Sequence, residues 1–144
     1  MDTARIEQRA GVRTTSDRLW EILSDLPGWD RWNPHESGVT GEITFGGPFS
    51  LTERLPGLPD RVVQGRVGEW QPLAQLVWLE KRGWMFNTIR FYEIEELEPG
   101  NCIISNGIIF SGLRGEWYFD KHRKMLKAAC AAVVEGWKAA AEAG

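Results

Sequence analysis

Polar and apolar residues alternate at the start of the chain. From Ala4 to Arg13, Ile6, Arg9 and Val12 stand among polar neighbours, which predicts a strand ending at Thr14-Thr15-Ser16. The period then changes. Leu19, Trp20, Leu23 and Leu26 fall on one side of a helix that Thr15 or Ser16 can cap, with Asp17 at the positive end of its dipole and Pro27-Gly28 to stop it. Trp29 to His35 reads as a second short helical stretch, with Trp29 and Trp32 one turn apart on a shared face, until Asn33-Pro34 breaks it. From Gly38 to Gly112 short β-favouring runs alternate with turn residues. Strands are expected at Val39 to Thr44, Phe49 to Leu55, Arg61 to Trp70, Gln75 to Lys81, Trp84 to Leu97 and Asn101 to Ser111. Gly46-Gly47-Pro48, Pro56 to Asp60, Gln71-Pro72, Gly83 and Pro99-Gly100-Asn101 separate them. The segment Glu116 to Ala143 holds no proline and carries Phe119, His122, Leu126, Ala129, Val133, Trp137 and Ala140 at steps of three or four, so it predicts one long amphipathic helix. Gly136 inside it predicts close backbone packing.

This order implies an α+β domain. Seven antiparallel strands twist and curl, and a curled sheet has a concave face. The C-terminal helix, roughly 40 Å long at about 1.5 Å per residue, is the element long enough to cover that face. Where the sheet curls away from the helix a cavity can remain, opened or closed by the two small helices.

Composition narrows the function classes. At 144 residues the chain is expected to form a single domain spanning 1–144, and 42% hydrophobic with 26% charged residues is a globular balance. A net charge of −3 argues against nucleic acid as a partner. No apolar run reaches the roughly 18 residues of a membrane helix, and Asp2, Arg5, Glu7 and Arg9 occupy the place of a signal-peptide core, so a cytoplasmic location is expected. Cys102 and Cys130 have no metal-ligand or disulfide spacing and read as small buried hydrophobes. Eight tryptophans against two tyrosines is the oddity of the composition, since such rings either fill a core or line a pocket.

The run Leu23-Ser24-Asp25-Leu26-Pro27-Gly28-Trp29-Asp30-Arg31-Trp32-Asn33-Pro34 resembles the helix-to-strand motif of the START-like (SRPBCC) superfamily, in particular its bacterial polyketide cyclase/dehydrase and lipid-transport branch. Arg66-Val67-Gly68-Glu69-Trp70 with Pro72, Phe91 to Pro99 with Gly100-Asn101-Cys102, and Phe110-Ser111-Gly112 are similar to that branch's later strands, so the likeness spans essentially the whole chain. Asn101-Cys102 stands where the family often has Gly-Thr, at a turn. The resemblance implies the helix-grip (START-like) fold: a curved seven-stranded antiparallel sheet around a long C-terminal helix, with two small helices after the first strand. It does not single out a function, because this superfold hosts transporters, cyclases, hydrolases and plain binding proteins.

Strand parity then selects candidate cavity residues. The resemblance sets Tyr92 and Ile94 inward, which turns Trp84, Phe86, Thr88 and Arg90 inward too; the opposite register turns in Met85, Asn87, Ile89 and Phe91 and leaves Arg90 in solvent. An inward Arg90 needs a partner, and Glu53, Glu80 or a ligand carboxylate are candidates, so ligands with an acidic or oxygen-rich end are expected. The next strand would add Cys102, Ile104, Asn106, Ile108 and Phe110, where Asn106 either orients a ligand or satisfies its neighbours. Phe119, His122 and Leu126 share the inward stripe of the last helix, and His122 is either an acid-base group or a residue at the solvated margin. Trp32, Trp78 and Trp84 would report on a bound ligand. His35, at the end of the second helical stretch, is expected to face solvent. A metal site would need His35, His122 and carboxylates such as Glu36 to converge from separate elements, and none is expected. No cofactor is expected either, since the glycines form no phosphate or dinucleotide loop. The basic run Lys121-His122-Arg123-Lys124 with Lys127 and Arg114 suits either solvent or anionic headgroups, and does not by itself indicate a membrane.

Three readings of function stay open. The first is binding of a small hydrophobic or aromatic molecule, lipid-like or polyketide-like, in the cavity. The second is an enzyme of the cyclase, aromatase or dehydratase type, with Arg90, Tyr92, Asn106 or His122 moving protons and no catalytic residue assigned. The third is a non-catalytic homodimeric module that meets its copy through Ile89, Phe91, Ile103 and Ile109 on the outer sheet face.

Overall fold

The computed structural model describes residues 4–82, 86–112 and 114–143. Strand β1 (Ala4–Val12) leads into helix α1 (Ser16–Ser24), a 3-10 helix (Leu26–Arg31), and strands β2 (Glu36–Gly41), β3 (Pro48–Glu53), β4 (Arg61–Gln71), β5 (Gln75–Arg82), β6 (Phe86–Glu98) and β7 (Asn101–Ser111). Helix α2 (Gly115–Ala143) closes the chain. The strands form one antiparallel sheet in the order β1-β7-β6-β5-β4-β3-β2, and α2 packs on β1, β7 and β6. This is the helix-grip architecture. Among the described residues no helix is long and apolar enough to cross a membrane.

Local chemistry explains the departures from the expected boundaries. The Thr15 hydroxyl caps α1 by accepting the Arg18 amide at 3.1 Å. Pro27 and Gly28 do not end the helical region, because proline fits the first turn of the 3-10 helix that begins at Leu26. That helix stops at Arg31, so the stretch expected at Trp29 to His35 starts and ends earlier. Strand β2 also lies earlier than Val39 to Thr44. The Asn33 side chain takes the amides of His35 and Glu36 at 3.1 and 3.0 Å and launches the strand at Glu36, two residues after Pro34. The break at Gly83 and the first two residues expected of β6, Trp84 and Met85, lie outside the described residues.

The register of β6 is the one that turns Arg90 inward. Phe86, Thr88, Arg90, Tyr92 and Ile94 are all buried, whereas Asn87 and Glu95 are exposed. On β7, Cys102, Ile104, Asn106, Ile108 and Phe110 are buried on the same face. The buried stripe of α2 is wider than the spacing predicts: Cys130, Val134 and Ala141 join Leu126, Ala129, Val133 and Trp137, while Phe119, His122 and Ala140 are half-buried. Gly136 is where α2 meets the 3-10 segment, and a Cβ there would collide with the Trp32 carbonyl oxygen. Trp20, expected on the inward side of α1, is half-buried and stacks on Trp70 with ring centroids 6.4 Å apart.

Candidate functional site

The inner face divides into two apolar clusters with a polar belt between them. Trp29, Phe49, Leu51, Val63, Trp78, Tyr92, Ile104, Val133 and Trp137 belong to the first cluster; Ile6, Leu55, Phe86, Ile108, Phe110, Leu126 and Cys130 belong to the second. Each strand that crosses from one to the other carries a polar or charged residue at the crossing. On β3 it is Glu53, between Leu51 and Leu55, and on β6 Thr88 and Arg90 lie between Phe86 and Tyr92. Glu36 on β2, Arg61 on β4 and Glu80 on β5 continue the belt.

Its members are bonded in series. Glu36 and Glu53 are opposed across β2 and β3, a like-charge pairing that is unfavourable alone. The Arg90 guanidinium lies between them, hydrogen-bonded through Nη2 to Glu53 Oε2 and with Nη1 3.6 Å from Glu36 Oε2. Arg61, directly across from Glu53, donates to Glu53 Oε1 at 2.9 Å and to Glu80 Oε1 at 3.0 Å. At the other end the Tyr92 hydroxyl and Asn33 Nδ2 both donate to Glu36 Oε1, Asn33 at 2.9 Å. Glu36, Glu53, Glu80 and Arg90 are buried and Arg61 alone among these five charges reaches solvent, with 29% of its side chain exposed.

These contacts measure the curl of the sheet. Arg90 and Glu53 lie three strands apart, which is about 14 Å in a flat sheet, and Tyr92 and Glu36 lie four apart, about 19 Å. Direct contact across those spans requires a deeply concave face. Burial first, and then the Glu36 carboxylate, hold the Tyr92 phenol well above its ordinary titration range, so it is a fixed hydrogen-bond donor. Cys130 of α2 faces the belt from the other side: burial pushes its thiol up to about 11, with Arg90 lowering and Glu36 raising it.

Several polar atoms of the belt lack partners. Among the described residues, Trp78 Nε1, Thr88 Oγ1, Arg90 Nε and Glu36 Oε2 are buried without a hydrogen bond, the last lying 3.6 Å from Arg90 Nη1 as an ion pair. Trp32 Nε1 and Arg18 Nε are likewise unpartnered, beside a groove of about 600 Å³ between α1, the 3-10 helix and α2.

The expected site residues therefore separate. Phe86, Ile108, Phe110 and Leu126 meet at one apolar end, joined by Phe119 and by Tyr118, which the spacing did not single out. Trp32 is at the other end, stacked on Trp137. Arg90 and Tyr92 lie in the belt. Asn106 is engaged, donating to the Phe91 carbonyl at 3.1 Å. His122 is half-buried with its ring centroid 4.5 Å from that of Tyr118. His35 is half-buried rather than solvent-facing, and its Nδ1 is 2.8 Å from the Arg54 carbonyl oxygen. Trp84 lies outside the described residues. On the outer face Phe91 is buried, not exposed, with the Arg5 guanidinium carbon 4.5 Å from its ring centroid; Ile89, Ile103 and Ile109 are half-buried. No three His, Cys, Asp or Glu side chains converge as metal ligands among the described residues.

Glu53 was legible as a partner for an inward Arg90, whereas Glu80, the other carboxylate expected there, is bonded to Arg61 instead. Glu36, Arg61 and Asn33 were not legible, because a strand pattern scores an inward glutamate as a solvent position.

No family model and no curated protein matches the chain. Solved structures share its fold. The ZhuI aromatase/cyclase of Streptomyces sp. R1128 is 14% identical with a TM-score of 0.79, covering 98% of this chain and 94% of that one. The di-domain aromatase/cyclase StfQ of the steffimycin pathway is 14% identical with a TM-score of 0.75; the match covers 98% of this chain and 51% of StfQ, so this chain spans about half of it. Norcoclaurine synthase from Thalictrum flavum is 10% identical with a TM-score of 0.70, over 97% and 94% of the two chains. The chain thus has the helix-grip fold of these proteins.

Proposed function

We propose that the chain binds a small apolar or aromatic molecule, lipid-like or polyketide-like, between the concave sheet face and α2. The observation that supports this is the charged belt set between two apolar clusters. Buried ion pairs stabilise a fold little more than apolar residues of the same shape, so stability alone gives no reason for five charges on an inner face. Apolar walls with a few convergent polar groups are what a small-molecule site needs.

Binding is favoured over the cyclase or dehydratase reading because three of the four proton-moving candidates are occupied, and the fourth, His122, packs on Tyr118 at the apolar end, away from the belt. Tyr92 is held as a donor to Glu36, Asn106 is bonded to backbone, and Arg90 is paired with two carboxylates. The aromatase/cyclase neighbours keep the catalytic reading as the second one, with the buried Glu36 and Glu53 carboxylates as its acid-base groups.

The test is titration with the apolar dye Nile red, read by dye fluorescence and by tryptophan quenching. Phe86→Trp and Phe110→Trp narrow the apolar end. They are expected to weaken binding by about tenfold while the fold stays intact by circular dichroism, at a cost of about 1–3 kcal/mol in stability. Equal affinity in the wild type and both variants would place the dye elsewhere and overturn the reading.

A further inference from the structure

We infer that the interior site selects a neutral oxygen, a carbonyl or hydroxyl, as the head group of its ligand and discriminates against a carboxylate. This rests on the interior-binding reading above and adds the chemistry of the head. Trp78, Thr88 and Arg90 are 0%, 1% and 8% exposed, and each carries a polar atom that no described residue satisfies. The three are neighbours. Trp78 is directly opposite Arg90 on the adjacent strand, with the guanidinium carbon 5.4 Å from the indole ring centroid, and Thr88 is the next inward residue of β6, opposite Glu80. Buried polar groups are nearly always partnered, so orphans this close together point to a partner from outside the chain.

The donor inventory states what that partner is. An indole N–H and a guanidinium Nε–H only donate, and a hydroxyl can do either, so the group missing beside these three is an acceptor; the belt's other unbonded atom, Glu36 Oε2, is an acceptor that already faces Arg90 Nη1 at 3.6 Å. Its charge follows from the surroundings. Arg90 already lies between Glu36 and Glu53, and Glu80 stands across from Thr88 and is bonded to Arg61. A ligand carboxylate would therefore enter beside three carboxylates where water does not screen them. A carbonyl oxygen accepts two hydrogen bonds without that repulsion. The acidic end expected from an inward arginine alone is replaced, because the protein's own glutamates already neutralise that arginine.

Naphthalene, 2-acetylnaphthalene and 2-naphthoate share one apolar body and differ in the head. Each is titrated into ¹⁵N-labelled protein at pH 7, with affinity read from amide shifts and contacts from the indole N–H resonances. The ketone is expected to bind about tenfold more tightly than naphthalene and than naphthoate. It should move the Trp78 indole proton downfield and leave those of Trp29 and Trp137, which are already bonded to backbone carbonyls, in place. Trp78→Phe assigns the resonance and should erase the ketone's advantage while naphthalene still binds. Thr88→Val, close in shape, should weaken the ketone and raise the melting temperature of the ligand-free protein by a few degrees, since it removes an unpaired buried hydroxyl. Naphthoate binding as tightly as the ketone, or the ketone binding no better than naphthalene, would overturn the head-group inference and leave interior binding standing. Failure of all three to bind would overturn both.

Discussion

Tryptophans in the same interior end in two different ways at their polar tips. At the end where α1, the 3-10 helix and α2 meet, Trp29 Nε1 donates to the Leu23 carbonyl at 2.8 Å and Trp137 Nε1 to the Leu19 carbonyl at 3.3 Å. Both receiving carbonyls belong to α1, so these indoles fasten the 3-10 segment and α2 to one helix while their rings pack with Tyr92 at centroid distances of 4.9 and 5.9 Å. Where the same cluster borders the belt, Trp78 is as deeply buried, stacks on Phe49 at 5.1 Å, and has an N–H without a partner among the described residues. Burial and ring packing are alike at the two places. What separates structure from site is whether the polar tip is satisfied within the chain, because an unmade buried hydrogen bond costs more than a made one contributes. The tryptophan-rich composition therefore serves two purposes, and Trp32, whose ring stacks on Trp137 but whose Nε1 is unpartnered, sits between them.

The largest effect is expected from Arg90→Met. It keeps most of the aliphatic stem and strips Glu36 and Glu53 of their shared counter-charge, which should cost about 3–5 kcal/mol in urea denaturation. A loss under about 1 kcal/mol would mean that the belt is open to water and that the contrast between the two regions is overdrawn.

Alkaline pH tests the same region from the helix side. Burial pushes the Cys130 thiol up to about 11 in the folded chain from an ordinary value of 9.0. Between those values the unfolded state has lost a proton that the native state keeps. The thiol's contribution is thus fully present below about pH 9 and is lost as pH rises toward 11, by about 2–3 kcal/mol. Stability measured against pH should fall more steeply for the wild type than for Cys130→Ala. Parallel curves would show that the thiol is not shut away above the belt.

A smaller difference separates the two kinds of tryptophan. Trp29→Phe and Trp78→Phe remove the same atoms, yet the first loses a made hydrogen bond and the second an unmade one. Trp29→Phe should be the more destabilising by about 2 kcal/mol in matched denaturation curves. The reverse order would show that the Trp78 indole has a structural partner.

Much of this was readable in the chain because it depends on neighbours in sequence. That Phe86, Thr88, Arg90 and Tyr92 share one face, the single long helix expected from Glu116 and found from Gly115, and the close approach at Gly136 follow from periods of two and 3.6 and from the space a glycine leaves, while the choice of that face as the inward one rested on the resemblance. The shift of β2 did not, since it is set by the Asn33 side chain capturing two amides, a contact that hydropathy does not register. Nor did Tyr118, which joins Phe86 and Phe110 from a position just off the expected stripe.

The sequence by itself determined which residues of a strand share a face, and so that Arg90, if its face turned inward, would need a partner among apolar neighbours. Only the tertiary structure decided who that partner is. Tyr92 and Glu36 are 56 positions and four strands apart, and Arg90 and Glu53 are 37 positions and three strands apart. Whether such groups touch depends on the curl of the whole sheet, which accumulates from small twists in every strand and leaves no mark on the pattern of any one of them.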